Sequence, residues 1–141
     1  TYKKLIESGK IRFSSPQYLV VKSIEKSDEG QNERLKVALD YYALLSPDIL
    51  PLDETDKEKL SGILAEDSLA LIEYWSIDPD YDGVTFRSRW QDYRDNTDRD
   101  GDALRVVYET ELVVPKVAGK RKICVKAVDV FGFESEVVME L

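Results

Sequence analysis

The chain has 141 residues, 43% of them hydrophobic and 34% charged, with a formal net charge of −8 at pH 7. This composition is typical of a soluble globular domain rather than a disordered tail. No apolar run reaches the roughly 20 residues that a membrane-spanning helix needs, so we expect no membrane partner. With no histidine and a single cysteine, the sequence excludes zinc sites, Ser–His or Cys–His catalysis and an internal disulfide.

The N-terminal stretch "YKKLIESG" (2–9) predicts a helix, and the chain begins there on Thr1 rather than on a methionine. We therefore expect a longer protein whose remaining polypeptide is this domain's first partner. The lone Cys124 favours a reducing compartment, and a cytoplasmic location is the expectation.

Two strands and a helix are predicted next. Residues Gln17–Ile24 are rich in β-branched and apolar side chains, and residues 34–46 alternate apolar with polar positions, the period of a half-buried strand. The second stretch also fits one helical face, but we prefer the strand. Residues 55–66 predict a helix in which Thr55 and Glu58 form a capping box.

The second half predicts strands almost throughout. Residues Leu69–Ile77 form a core strand that leads into an acidic loop, and residues 85–94 form a strand or an extended edge. The last third contains three β-branched runs: Leu104–Val114, Lys120–Phe131 and Glu134–Leu141. Gly119 and Gly132 fall where the connecting turns are expected.

The predicted fold class is therefore mainly β (α+β), an antiparallel β-sandwich with one or two added helices. We expect residues 1–66 to supply a helix, strands and a capping helix that pack on the sandwich. Residues 67–141 are expected to supply the main sandwich portion.

Two acidic loops are the first candidate site. Each places oxygen-bearing side chains on alternate residues before a glycine, as calcium loops do; the candidates are Asp78, Asp80, Asp82, Asn96, Asp98 and Asp100. Aligned with an EF-type loop, both segments lack the glutamate that closes it, since Arg89 and Val107 occupy that position.

Three interpretations of these loops stay open. Calcium binding would need closing ligands from elsewhere in the chain, and metal-dependent hydrolysis would lack a nearby lysine or histidine base. The favoured interpretation is that Asp and Gly shape tight turns between strands. We accordingly expect no catalytic residue and no cofactor in this chain, calcium included.

Basic residues form the second candidate site. A span from Val113 to Val128 contains no acid, and its cations, with two arginines from the first acidic loop, are candidates for phosphate contact: Lys116, Lys120, Arg121, Lys122, Lys126, Arg87 and Arg89. The competing interpretation is that the residues at the hairpin face water and that the arginines neutralise the acidic loops.

Core packing explains the remaining conspicuous side chains best. Trp75 and Trp90 lie on apparent strand faces and are expected in the core rather than stacked on a nucleobase. Cys124 is expected to be a small buried hydrophobe. Asp129 is expected to brace the "FGF" turn that follows it.

The segment "GKRKICVKAVDVFGFES" resembles the final hairpin of PKD-like and other immunoglobulin-like domains, and "IEYWSIDPDYDG" resembles the tryptophan strand and turn of that fold. This resemblance implies an immunoglobulin- or PKD-like sandwich at the C-terminal end. It implies a fold rather than a function.

A longer ordered set of motifs is similar to the non-catalytic C-terminal region of prokaryotic adenine-specific DNA methyltransferases of the type III modification-subunit kind. It is carried by Trp75, Asp78, Asp82, Gly83, Phe86, Trp90, Gln91, Arg94, Val128, Asp129, Phe131 and Gly132. The family's Asp-Pro-Pro-Tyr and glycine-rich motifs are absent. The resemblance therefore implies an accessory domain, with S-adenosylmethionine bound elsewhere in the full-length protein.

Two functions follow as expectations. The first is a non-catalytic accessory domain of a DNA-modification protein, which positions DNA or a subunit of a restriction system. The alternative is a PKD-like interaction module of a surface multidomain protein, stabilised by calcium if the acidic loops bind it.

Overall fold

The computed structural model describes residues 17–44, 52–96, 98, 101–102 and 104–141. Its strands are β1 (Gln17–Glu29), β2 (Asn32–Leu44), β3 (Ile72–Asp78), β4 (Trp90–Tyr93), β5 (Glu109–Pro115), β6 (Lys122–Asp129) and β7 (Glu134–Glu140). One helix, α1 (Glu54–Glu66), and a 3₁₀ turn (Ser68–Leu71) lie between β2 and β3. The helix expected in residues 2–9 lies outside the described residues.

The seven strands form two antiparallel sheets. Sheet A has the order β1-β2-β5, and sheet B has the order β4-β3-β6-β7. The predicted mainly β fold, an antiparallel sandwich with an added helix, is confirmed. Because β5 pairs with β2, sheet A contains strands from both the N-terminal portion (1–66) and the C-terminal portion (67–141). The division of the chain into these two portions stays a prediction.

The core lies between the inner faces of the two sheets. In β2 the buried Leu35 and Val37 alternate with polar residues, and in β6 the buried Ile123, Val125 and Ala127 occupy alternate positions. Burial of such apolar side chains is the main source of the sandwich's stability. The period-2 pattern that predicted β2 therefore places its apolar residues in this core, as the β-branched run that predicted β6 does for that strand.

Several boundaries differ from expectation. β1 extends to Glu29 rather than ending at Ile24, and β5 begins at Glu109 rather than at Leu104. The N-cap of α1 is Asp53, whose carboxylate accepts from the Asp56 amide at 2.7 Å, rather than the expected Thr55. The strand expected from Leu69 begins only at Ile72, after the 3₁₀ turn. The strand expected over residues 85–94 is confined to Trp90–Tyr93, because the residues before it belong to the folded acidic loop.

The connections are grouped at opposite ends of the sandwich. The β1–β2 turn, the β3–β4 loop (79–89) and the β5–β6 loop (116–121) lie at one end, which we call the arginine-121 end. The segment containing α1, the β4–β5 loop and the β6–β7 turn lie at the other, the arginine-94 end. Gly119 and Gly132, both with positive φ (77° and 88°), stand in the turns where they were expected.

No helix within the described ranges is long and apolar enough to cross a membrane.

Candidate functional site

Several cations of the candidate phosphate surface already have partners within the fold. Lys116 pairs with Asp28 at 3.2 Å, Lys126 with Glu134 at 3.4 Å, and Arg87 with Asp82 at 3.0 Å. The Lys126 ammonium also lies 4.8 Å from the centre of the Phe86 ring. Exposed pairs of this kind add little stability, but they lower the positive potential that would attract phosphate.

Arg121 is the clear exception to the expectation that hairpin cations face water. Its side chain is only 1% exposed, so the expectation of a water-facing side chain is wrong for this residue. Nε donates to the buried Glu33 carboxylate at 2.6 Å, and Nη1 donates to the Asp80 carboxylate at 2.5 Å. Nη1 and Nη2 also donate to the carbonyls of Pro79 and Pro115.

One guanidinium thus ties together three loops that are far apart in sequence. Glu33 follows the β1–β2 turn, Asp80 belongs to the β3–β4 loop, and Arg121 ends the β5–β6 loop. Arginine suits this position because its rigid fork offers several donors at fixed angles. Removing one partner of such a buried pair leaves an uncompensated charge, which is strongly destabilising.

The alternation of side chains along each strand could have predicted that Glu33 and Arg121 face the core. Glu33 is in phase with the buried Leu35 and Val37, and Arg121 is in phase with the buried Ile123 and Val125. Both charges therefore point to the inner side of the sandwich. Sequence analysis placed Arg121 among surface cations and assigned no role to Glu33, so it missed the contact.

Three candidate cations have no ion pair among the described residues: Lys120, Lys122 and Arg89. Lys120 and Arg89 are exposed and Lys122 is half-buried. Lys122 is opposite Glu140 in the β6–β7 ladder, so even this lysine has a carboxylate on the neighbouring strand. Of the predicted phosphate surface, these three side chains are the ones that no described ion pair neutralises.

The first acidic loop directs its carboxylates at its own backbone. Asp78 accepts from the amides of Asp80 at 3.0 Å and Arg87 at 2.8 Å, which closes the loop. Asp82 accepts from the amides of Val84 and Thr85, and the backbone bond from Thr85, the bond from Val84 and the Arg87 guanidinium lower its pKa to about 2. These contacts are those of a turn, the favoured interpretation.

The second acidic loop is built around Asn96. Its side-chain amide donates to Asp92 at 2.7 Å, and its side-chain oxygen accepts from the Asp98 amide at 3.1 Å. The buried Asp92 also accepts from the Val107 amide, so it links β4 to the segment before β5. Asp100 lies outside the described residues.

The described carboxylates of the two loops do not form one cluster. Within the described ranges no group of three or more acidic or cysteine side chains is arranged to hold a metal. Asp80 instead contacts Arg121, and Asp82 contacts Arg87. Whether calcium binds to either loop stays a prediction.

The arginine-94 end has a brace of its own. The buried Tyr42 hydroxyl donates to Asp129 at 2.5 Å, and the other Asp129 oxygen accepts from the amides of Phe131 and Phe133. The expectation that Asp129 braces the "FGF" turn is confirmed. Burial, followed by the Asp129 contact, raises the pKa of Tyr42 above its ordinary value, which keeps this hydroxyl protonated.

Arg94 joins three segments at the same end. Its guanidinium donates to the carbonyls of Ala70, Ile72 and Leu104 and pairs with Glu73 at 3.2 Å. The side chain is 25% exposed, so water reaches part of this site.

The conspicuous apolar side chains lie where they were expected. Trp75 is fully buried and Trp90 is 8% exposed, and their ring centres are 4.5 Å apart. Neither ring is available for stacking on a base. Cys124 is buried, and burial raises the pKa of its thiol to about 12, which makes it a poor nucleophile at neutral pH.

Taken together, these contacts hold loops in place. Reactive sites require a carboxylate, thiol or hydroxyl that faces a substrate cavity with a suitable pKa. Here the carboxylates of Asp78, Asp82 and Asp129 accept backbone amides, and Cys124 is buried.

No model of a known protein family matches the chain, and no curated protein matches it.

Proposed function

We propose that this domain is a non-catalytic accessory domain of an adenine-specific DNA-modification protein, and that it positions a partner polypeptide relative to the DNA. Its role is to present a rigid surface. The methyl donor and the catalytic motifs belong to other polypeptide. The motif resemblance supplies the biological setting, and the contacts of the loops support the positioning role.

The observation that carries the proposal is the arginine-121 clamp, the contact of Arg121 with Glu33, Asp80 and two backbone carbonyls. It fixes three loops of one end against each other, and its guanidinium and the Glu33 carboxylate are both buried. Surfaces held in one conformation bind with a smaller loss of conformational entropy. A clamp of this kind suits a docking domain.

Charge favours a protein partner over direct contact with phosphate. Arg121 is buried, and Lys116, Lys126 and Arg87 are paired with carboxylates. The chain as a whole carries a net charge of −8, which repels a polyanion at long range. Lys120, Lys122 and Arg89 make too small a basic surface to hold a duplex against that field.

The first test is the coding sequence around this domain. The proposal expects an adenine methyltransferase motif in the same reading frame or in an adjacent gene. Repeated β domains behind a secretion signal would instead favour the surface interaction module and overturn the proposal.

The second test measures binding. The purified domain is titrated into the purified methyltransferase polypeptide by calorimetry, and separately into fluorescently labelled duplex DNA near physiological salt. We expect a complex with the protein and no complex with the DNA. If the domain binds duplex DNA and Lys120→Gln/Lys122→Gln abolishes that binding, direct phosphate contact replaces protein contact as the proposed mode of action.

A matched pair of variants shows whether a change in binding comes from the charges of the arginine-121 end or from a loss of stability. Lys120→Gln/Lys122→Gln removes one exposed and one half-buried charge at the arginine-121 end, whereas Lys22→Gln/Lys36→Gln removes two exposed charges on sheet A. Neither pair should lower the melting temperature by more than a few degrees, since exposed charges contribute little to stability. Methyl transfer by the isolated domain would contradict the non-catalytic assignment.

A further inference from the structure

We infer that the free edge of β5 is a docking edge for an extended, basic segment of a partner polypeptide, which would add a fourth strand to sheet A. This inference rests on the proposed positioning function and names the surface that would perform it. The docking edge is defined by the outward backbone groups of Glu109, Glu111 and Val113.

The hydrogen-bond pattern identifies these groups. Beyond the ends of the β2–β5 ladder, the Leu39 amide donates to the Tyr108 carbonyl and the Lys116 amide donates to the Gln31 carbonyl, in the same register as the ladder. In an antiparallel pair, every second residue directs both its N–H and its C=O at the neighbouring strand. The even-numbered residues from 108 to 116 therefore face β2.

The odd-numbered residues of β5 consequently face away from β2. Across the described parts of the chain, the backbone amides and carbonyls of Glu109, Glu111 and Val113 have no hydrogen-bond partner. The edge ends at Pro115, which has no N–H and whose carbonyl accepts from Arg121 at 2.5 Å. An unpaired row of this kind is a template for another strand.

The other three sheet edges are protected. β1 carries irregularities at Val20–Val21 and Val21–Ser23, and Lys26, opposite Leu35, places a charge on the inner face. β4 has only four residues. β7 contacts β1, and Gln17 donates to the Glu134 carbonyl at 2.6 Å. Inward charges, irregular strands and short edges are the usual defences against strand addition.

β5 has none of these three defences over its regular length; the edge features that it does have are the exposed Glu109 and Glu111 and the terminal Pro115. It pairs with β2 without a register shift, and its inner-face residues Thr110, Leu112 and Val114 carry no charge. Its outer face presents Glu109, Glu111 and Val113, and Val113 is 47% exposed.

The outer face determines the chemistry of the partner. Glu109 is exposed opposite Ala38, and Glu111, although it pairs with Arg34, keeps 47% of its side chain exposed. Residues directly opposite each other on adjacent strands stabilise the sheet when their charges are opposite. The incoming strand should therefore place Lys or Arg against the two glutamates and aliphatic residues at the alternate, inner positions.

The same geometry disfavours a second copy of this chain. In an antiparallel pair of β5 strands from two copies, the residues opposite each other must be those whose backbone N–H and C=O face away from β2. Every such register puts glutamate opposite glutamate or places some residue opposite Pro115. Like charges opposite each other are destabilising, and Pro115 lacks the amide that the pairing needs.

A short peptide that alternates lysine with valine tests the edge directly, with the same peptide carrying glutamate for lysine as its control. Binding is followed by amide NMR shifts and hydrogen exchange of the intact domain. We expect the lysine peptide to shift and protect the amides of Glu109, Glu111 and Val113, and the glutamate peptide to leave them unchanged. Shifts centred elsewhere, or no shift at millimolar peptide, overturn the inference.

Two variants make the result specific. Val113→Pro removes an amide that β2 does not use, so it should leave the fold intact and weaken the lysine peptide about tenfold, the scale of a lost hydrogen bond with its strand geometry. Val113→Thr keeps the amide and should bind as the wild type does. Glu109→Lys should weaken the lysine peptide and strengthen the glutamate peptide.

The same variants distinguish this inference from the proposed function. If the domain binds the methyltransferase polypeptide and Val113→Pro binds it equally well, the docking edge is wrong and the positioning function stands. If the peptide binds at β5 but neither the reading frame nor its neighbours encode a methyltransferase, the edge stands and the proposed setting is wrong.

Discussion

The two ends of the sandwich are each joined by one arginine, but the two arginines lie in different surroundings. Arg121 is 1% exposed and contacts two carboxylates, whereas Arg94 is 25% exposed and contacts one carboxylate and three carbonyls. Water can replace the lost partners of Arg94, and it also reaches Asp80, which is 43% exposed. It cannot reach the Glu33 carboxylate, which is 7% exposed, without opening the core. Burial, rather than the number of hydrogen bonds, should decide how much each clamp contributes.

The largest effect is expected from Arg121→Met. It leaves the Glu33 carboxylate, 7% exposed, without its guanidinium, so we expect the free energy of unfolding to fall by about 3–5 kcal/mol. Urea denaturation measures the loss. Arg121→Met/Glu33→Leu removes the stranded charge and should regain most of the stability; a double variant as weak as the single one would show that the pair is not the cause.

A smaller effect is expected from Arg94→Met. The carbonyls of Ala70, Ile72 and Leu104 lose a donor, but the site is partly open to water. We expect a loss of about 1–2 kcal/mol by the same measurement. If Arg94→Met destabilises the domain as much as Arg121→Met does, burial does not determine how much each arginine contributes to stability.

The smallest effect concerns the loop beside Arg121. The pKa of Asp82 is lowered from 3.8 to about 2, so this carboxylate favours the folded loop above its unfolded pKa and loses that contribution as the pH falls through about 2. The amide shifts of Val84 and Thr85 should therefore titrate in that acidic window. Asp82→Asn should remove the titration without unfolding the domain, and an unchanged titration would assign it to another group.

Local sequence predicted the elements that depend on local pattern. Alternation of apolar and polar residues correctly predicted β2, a β-branched run correctly predicted β6, and left-handed glycines mark the turns at Gly119 and Gly132. The N-cap of α1 was misplaced because two acceptors, Asp53 and Thr55, stand close together before the same helix. Capping residues are interchangeable in sequence, and only the path of the incoming chain selects one.

The candidate site was predicted less well, for a physical reason. Lys120, Arg121 and Lys122 look alike in sequence, yet Arg121 is buried while Lys120 is exposed. The difference depends on Glu33 and Asp80, which are 88 and 41 residues away along the chain. A rule based on neighbouring residues in sequence cannot predict the burial of a charge whose partners lie that far along the chain.

The sequence by itself determined the class of fold, the burial of both tryptophans and the turn-forming role of Asp78, Asp82 and Asp129, because these follow from side-chain periodicity and short-range hydrogen bonding. Tertiary structure alone decided which cations remain at the surface and which of the described strands lie at the sheet edges. Both outcomes depend on how the two sheets meet and on which strand lies beside which, since desolvation and backbone pairing are set by neighbours in space.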